Sequence, residues 1–367
     1  MQTANYFNHY YKERQCIDHD PSIDALKIVA CLLVVTFNAL EYIHYYSTPF
    51  NSWQMVILTM IRTLSLSCVP IFFMITGYLM TQRRFTFKNY YRLLYLVLYY
   101  ALISVTIFLL RRLVLHDSLS FSKAISMMFS YTISPYAWFV GMYICVFLLI
   151  PLLNQFWHAQ KDIRAHTMMI LSFAIICILP SIFNSYQRMF PDYFVNLYPL
   201  FYYLLGGFIR NLIPQFRYRY HFCLILMGSI LIATIQNVNL LNNEVFHREV
   251  FNQFSSWAAF AIAFSLFFLI KRKQWTAKQA RLLRQLASLS LPICLFSFVI
   301  EQLIYPIYRS IFSNMTQQTI FLILPIIVVF LCSFILSLLC HKIYYFIFIK
   351  WTKLWRRLFN PQKEYIK

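Results

Sequence analysis

Charge is scarce in this 367-residue chain: 12% of its residues are charged, while 60% are hydrophobic. A soluble domain normally carries about 25% charged residues, so a water-soluble globular body is excluded. Glycine is nearly missing, at five residues, which argues against turn-rich β architecture. Membrane barrels alternate polar and apolar side chains, whereas the apolar runs here are continuous, as in Ala25–Leu40 and Phe321–Leu339. Helices, which satisfy their own backbone, remain as the spanning element. The nine cysteines form no C-x-x-C pair; they read as small core residues, and no metal is expected. Residues 1–22 contain Lys12, Glu13, Arg14, Asp18 and Asp20 around no apolar core. That segment is therefore expected to be a cytoplasmic extension, not a signal peptide. Acidic residues are also few, 12 against 32 basic ones, for a net charge of +20. The basic residues sit in short gaps between apolar runs and form no patch, so no nucleic acid partner is expected.

What is present is a series of runs long enough for a bilayer, which takes about 20 apolar residues per helix. They fall at 23–46, 55–80, 92–114, 137–156, 167–183, 197–213, 221–237, 254–270, 288–308 and 318–348. The expected fold is an all-α integral membrane protein of about ten transmembrane helices, with a basic tail at 349–367. If the N-terminus is inside, only Arg62, Arg111, Arg112, Lys123, Arg188, Arg248 and Arg309 of the 32 basic residues lie outward. The positive-inside rule then predicts both termini in the cytoplasm. The longest gap, around 113–136, is too short for a soluble catalytic domain. Any chemistry must use residues in the helices or at their ends.

Ionisable groups inside spans are costly and point to function by default. The first run holds Asp24, Lys27, Asn38, Glu41 and His44; the second holds Arg62 and the ninth Glu301. Lys27 and Asn38 are eleven residues apart, about three turns plus 20°, and so share a helix face about 16 Å long. Either Lys27 snorkels to headgroups and Asn38 bonds a neighbouring helix, or this face links the cytoplasm to a site within the membrane. Arg62 and Glu301 are candidates for an interior ion pair. His44 lies about 9 Å beyond Asn38 and about 120° around the axis, so it does not share Asn38's place.

These residues sit within a familiar pattern. The opening Ile23-Asp24-Ala25-Leu26-Lys27, the run Val69-Pro70-Ile71-Phe72-Phe73-Met74-Ile75-Thr76-Gly77-Tyr78-Leu79 and the basic segment Lys88 to Arg92 occur in order. Tyr136-Ala137-Trp138-Phe139 and Leu204-Leu205-Gly206-Gly207-Phe208 follow. The set resembles the membrane acyltransferase 3 family, which includes O-acetyltransferases of bacterial cell-surface polysaccharides. The resemblance implies a multi-pass protein of the bacterial cytoplasmic membrane. It also implies transfer of an acyl group, most simply acetyl, to a hydroxyl of a surface polysaccharide or lipid-linked glycan. Acyl-CoA would be the donor substrate, with no bound cofactor; the lipid bilayer and the glycan acceptor complete the partners.

The family's first-helix hallmark is an Arg and a His separated by ten residues. Lys27 and Asn38 stand in those places. Lysine keeps a positive charge but loses bidentate geometry, whereas an amide has no useful basicity. A second family histidine, in the ninth helix, corresponds to Ser297. The resemblance then implies Lys27 as a donor-binding group and Asn38 as a partner of the acyl carbonyl; the intramembrane charges add Arg62 as a candidate donor-binding group and Glu41, one turn beyond Asn38, as the candidate base. Gly77, Trp138, Ser297 and Glu301 are candidate pocket residues, with Trp138 alternatively an interfacial belt residue. The missing His also leaves open a non-enzymatic member that assists polysaccharide assembly or export.

Overall fold

The computed structural model describes residues 20–82, 87–160, 162–184, 187–212 and 219–359. The described residues are helical and contain no strand. Helix α1 (Pro21–Tyr42) starts where chemistry dictates: the Asp20 side chain caps the Ser22 N–H, and Pro21 takes the first helical position. It ends at Ile43, followed by His44 in the left-handed region at φ 61°. The second apolar run is two helices, α2 (Trp53–Ser65) and α3 (Cys68–Met80), interrupted at Leu66–Ser67. Pro70 falls in the first turn of α3, where its missing N–H costs least.

There follow α4 (Phe87–Leu113), α5 (Phe121–Phe129), α6 (Trp138–Ala159), α7 (Ile163–Cys177), α8 (Pro180–Phe183) and α9 (Tyr198–Leu212). The remainder is α10 (Arg219–Leu241), α11 (Trp257–Lys271), α12 (Ala277–Ser288), α13 (Ser290–Ile311), α14 (Met315–Ile320) and α15 (Ile323–Phe359). Among the described residues nine stretches are long and apolar enough to cross a membrane, and each matches one of the expected runs. The expected span at 197–213 is α9, only 15 residues long. Residue 213 and the N-terminal segment 1–19 lie outside the described residues.

Helix α9 is nevertheless central, because it packs closely on α3. A Cβ at Gly77 would come within 1.8 Å of the Tyr203 carbonyl oxygen, and one at Gly206 within 2.0 Å of the Met74 carbonyl oxygen. The two glycines face each other's helix backbone, as small residues do in membrane interfaces. Asn154 of α6 locks the same junction: its amide donates to Met80 O at 2.9 Å and accepts from the Tyr203 hydroxyl at 2.7 Å.

Candidate functional site

The arrangement of α1, α3, α4, α6, α12 and α13 leaves a cavity of about 800 Å³, a size that suits a substantial organic ligand. The break between α2 and α3 places Cys68 and Val69 in its wall, in keeping with the rule that irregular backbone inside a membrane belongs beside a cavity. Lys27 and Asn38 both line it, as their shared helix face requires.

The two ends of the cavity differ in chemistry. Near the start of α1 are Lys27, Arg92 and Arg284, with Asp20 and Asp24 among them. Lys27 Nζ lies 3.4 Å from Asp24 Oδ1, a contact one turn apart on the same helix. Asp20 is paired with Lys271. Trp275 Nε1 donates to Ser22 Oγ at 3.1 Å, which ties the approach to α12 to this end. At the other end are Asn38, Tyr136 and Trp138. Asn38 is buried, 5% exposed, and its Nδ2 has no hydrogen-bond partner. Trp138 is 41% exposed, with its ring 5.7 Å from that of Phe254, which is itself 5.4 Å from the Phe37 ring. These aromatic faces form one wall.

Tyr136 extends the site beyond its lining. Its hydroxyl donates to Glu301 Oε2, and Glu301 is fully buried with Oε1 unpartnered. Glu301 therefore reaches the cavity through Tyr136 and does not line it. Ser297 is also behind the wall, with its hydroxyl donating to Cys294 O at 3.0 Å; Cys294 is the residue that lines the cavity.

Three candidates lie elsewhere. Arg62 is buried away from the cavity: it donates to Asn252 O at 3.0 Å and to the Tyr46 hydroxyl at 3.4 Å, over the Phe246 ring at 4.1 Å. It forms no ion pair with Glu301: its contacts are with Asn252, Tyr46 and Phe246, while Glu301 accepts from Tyr136. Glu41 is exposed and outside the cavity lining, since three residues of helix turn it away from Asn38's direction. Gly77 faces the α9 backbone and not the cavity. Tyr136 and Arg284 were not among the sequence candidates. Arg284 was visible only as one of several loop cations, and Tyr136 only as a neutral member of an aromatic motif.

Lys27 and Asn38 thus line one cavity along a single helix face. The model of the acyltransferase 3 family, an acyltransferase domain, matches residues 20–356. The chain belongs to the acyltransferase 3 family. No curated protein and no solved structure matches it. The match takes in every residue that lines the cavity. Among the described residues no cluster of His, Cys, Asp and Glu could hold a metal ion.

Proposed function

We propose that this acyltransferase 3 protein moves an acyl group, most simply acetyl, from acyl-CoA to a hydroxyl of a cell-surface polysaccharide or lipid-linked glycan. The observation that carries the reading is one cavity reaching from Lys27, Arg92 and Arg284 to the unpartnered amide of Asn38. The cations meet the phosphates of the donor, and the thioester arm extends along the α1 face. Asn38 Nδ2 donates to the acyl carbonyl, where negative charge develops as the acceptor attacks. The acceptor lies beside Trp138 and Phe254, whose faces suit a sugar ring. In this reading both termini are in the cytoplasm of a bacterial cell, and the cationic mouth opens to cytosolic donor. Arg62 and Glu41 hold structural positions and take no part.

The test is acetyl-CoA turnover by the purified protein, together with the O-acetyl content of surface polysaccharide in cells with and without it. Native protein should consume acetyl-CoA and raise O-acetylation. Failure of both, with activity appearing only in Asn38→His, would overturn the reading. That outcome would support a second one: a non-enzymatic family member acting in polysaccharide assembly or export. The specific observation behind this alternative is the amide of Asn38 where a base is expected.

A further inference from the structure

The acyl transfer proposed above needs a group to take the acceptor's proton, and Asn38 has no basicity to offer. We infer that Tyr136 and Glu301 form that proton-handling pair, with Tyr136 as the catalytic residue and Glu301 acting through it. The inference rests on the acyltransferase reading of the same cavity.

Placement carries the argument. Tyr136 lines the cavity, and its hydroxyl donates to the Glu301 carboxylate, which does not line it. Glu301 is 0% exposed, has no salt-bridge partner among the described residues, and leaves Oε1 without a hydrogen bond. A carboxyl group kept inside a membrane without a counter-ion is expensive and calls for a function. Its ordinary structural explanation, a pair with Arg62, is absent, because Arg62 is held by Asn252, Tyr46 and Phe246.

The pair also sits beside the right point. Tyr42 is four residues beyond Asn38 on α1, one turn or about 6 Å along the axis and nearly in line with it. Tyr42 belongs to the Tyr136–Glu301 cluster and accepts from Gln302 Nε2 at 3.2 Å. Its ring stacks on Tyr305 with centroids 4.6 Å apart. The cluster is thus fixed about one helical turn from the position where the family carries its histidine.

The step balances. The acceptor oxygen forms its bond to the acyl carbon as its proton passes to the Tyr136 oxygen and the Tyr136 proton passes to Glu301 Oε2. The carbon–sulfur bond then breaks, and the CoA thiolate recovers the proton from Glu301 through Tyr136. The products are an O-acyl ester and CoA thiol, with Tyr136 and Glu301 returned to their starting states.

The experiment compares native protein with Tyr136→Phe, Glu301→Gln, Glu301→Asp and the Tyr136→Phe/Glu301→Gln double variant in proteoliposomes. Acetyl-CoA and a de-O-acetylated bacterial surface polysaccharide serve as probes. Tyr136→Phe and Glu301→Gln should each lower kcat by about 10²–10⁴-fold with the KM for acetyl-CoA unchanged. The double variant should be little worse than either single one, as expected of groups acting as a unit, and Glu301→Asp should recover part of the rate. An infrared difference spectrum reads the proton directly. A carboxyl band lost in Glu301→Gln should appear on mixing donor and acceptor with native protein, and should fail to appear in Tyr136→Phe. Native-like kcat in Tyr136→Phe or Glu301→Gln, or no change at the Glu301 carboxyl, overturns the pair and leaves the acyltransferase reading standing. A native protein that uses neither acetyl-CoA nor longer acyl-CoA overturns both.

Discussion

Asn38 lines the cavity, and its amide nitrogen is buried without a hydrogen-bond partner. A donor left unsatisfied in this way is normally avoided, since it forfeits roughly 1–3 kcal/mol of hydrogen bonding. It becomes useful when a reacting carbonyl supplies the missing acceptor. Asn38→Ala should therefore lower kcat by about 10²–10³-fold, the loss seen when one such donor is removed, with little change in thermal stability. Steady-state kinetics beside a melting curve checks both parts. Arg62 predicts the reverse pattern. Its guanidinium ties α2 to the Asn252 carbonyl and faces the Phe246 ring. Arg62→Met strands that carbonyl and should destabilise the protein by about 1–3 kcal/mol, measured by thermal unfolding in detergent, while the KM for acetyl-CoA stays unchanged. The two polar residues were equally conspicuous in the sequence. Only their surroundings separate them: Asn38 lines the cavity, and Arg62 does not.

At the scale of elements, the broken α2–α3 span and its contact with α9 set the shape of the cavity. The break at Leu66–Ser67 lets α3 begin inside the membrane, so Cys68 and Val69 form part of the wall. Helix α3 is then held from the far side by α9, at a distance that leaves no room for a side chain at Gly77 or Gly206. Gly206→Ala places a methyl group 2.0 Å from the Met74 carbonyl oxygen and forces the helices apart. Overpacking of this kind costs about 1–3 kcal/mol, so its melting temperature should fall. The displaced α3 carries cavity-lining residues, and donor affinity should weaken with it. A matched Gly228→Ala variant, which meets nothing within 4 Å, should leave the melting temperature within error.

For the whole molecule the charges divide by face. Lys27, Arg92 and Arg284 line the cavity, while Arg309 and His44, outside its lining, meet just past the C-terminal end of α1, 3.4 Å apart. If the end where α1 begins faces the cytosol, Gln285→Cys should react with a membrane-impermeant maleimide only from the cytosolic side of oriented vesicles, and acetyl-CoA should protect it. Ser118→Cys should react only from the other side. The reverse labelling would invert the topology and detach the cationic mouth from its donor. Much of this organisation was readable without coordinates, because lipid imposes simple rules on a chain. Each long apolar run must be a helix. A helix advancing 100° per residue must set Lys27 and Asn38 on one face, and the cavity lies along that face. The same periodicity carries no information about which helices meet. From sequence, Arg62 and Glu301 were candidates for an interior ion pair, and Gly77 was a candidate pocket residue. Packing set Arg62 against Asn252 and Gly77 against the α9 backbone. Tyr136 was the least visible of all, since a neutral phenol in an aromatic motif raises no hydropathy signal. Its importance arises from contact with a carboxylate 165 positions away, and contacts between distant segments are decided by tertiary packing alone.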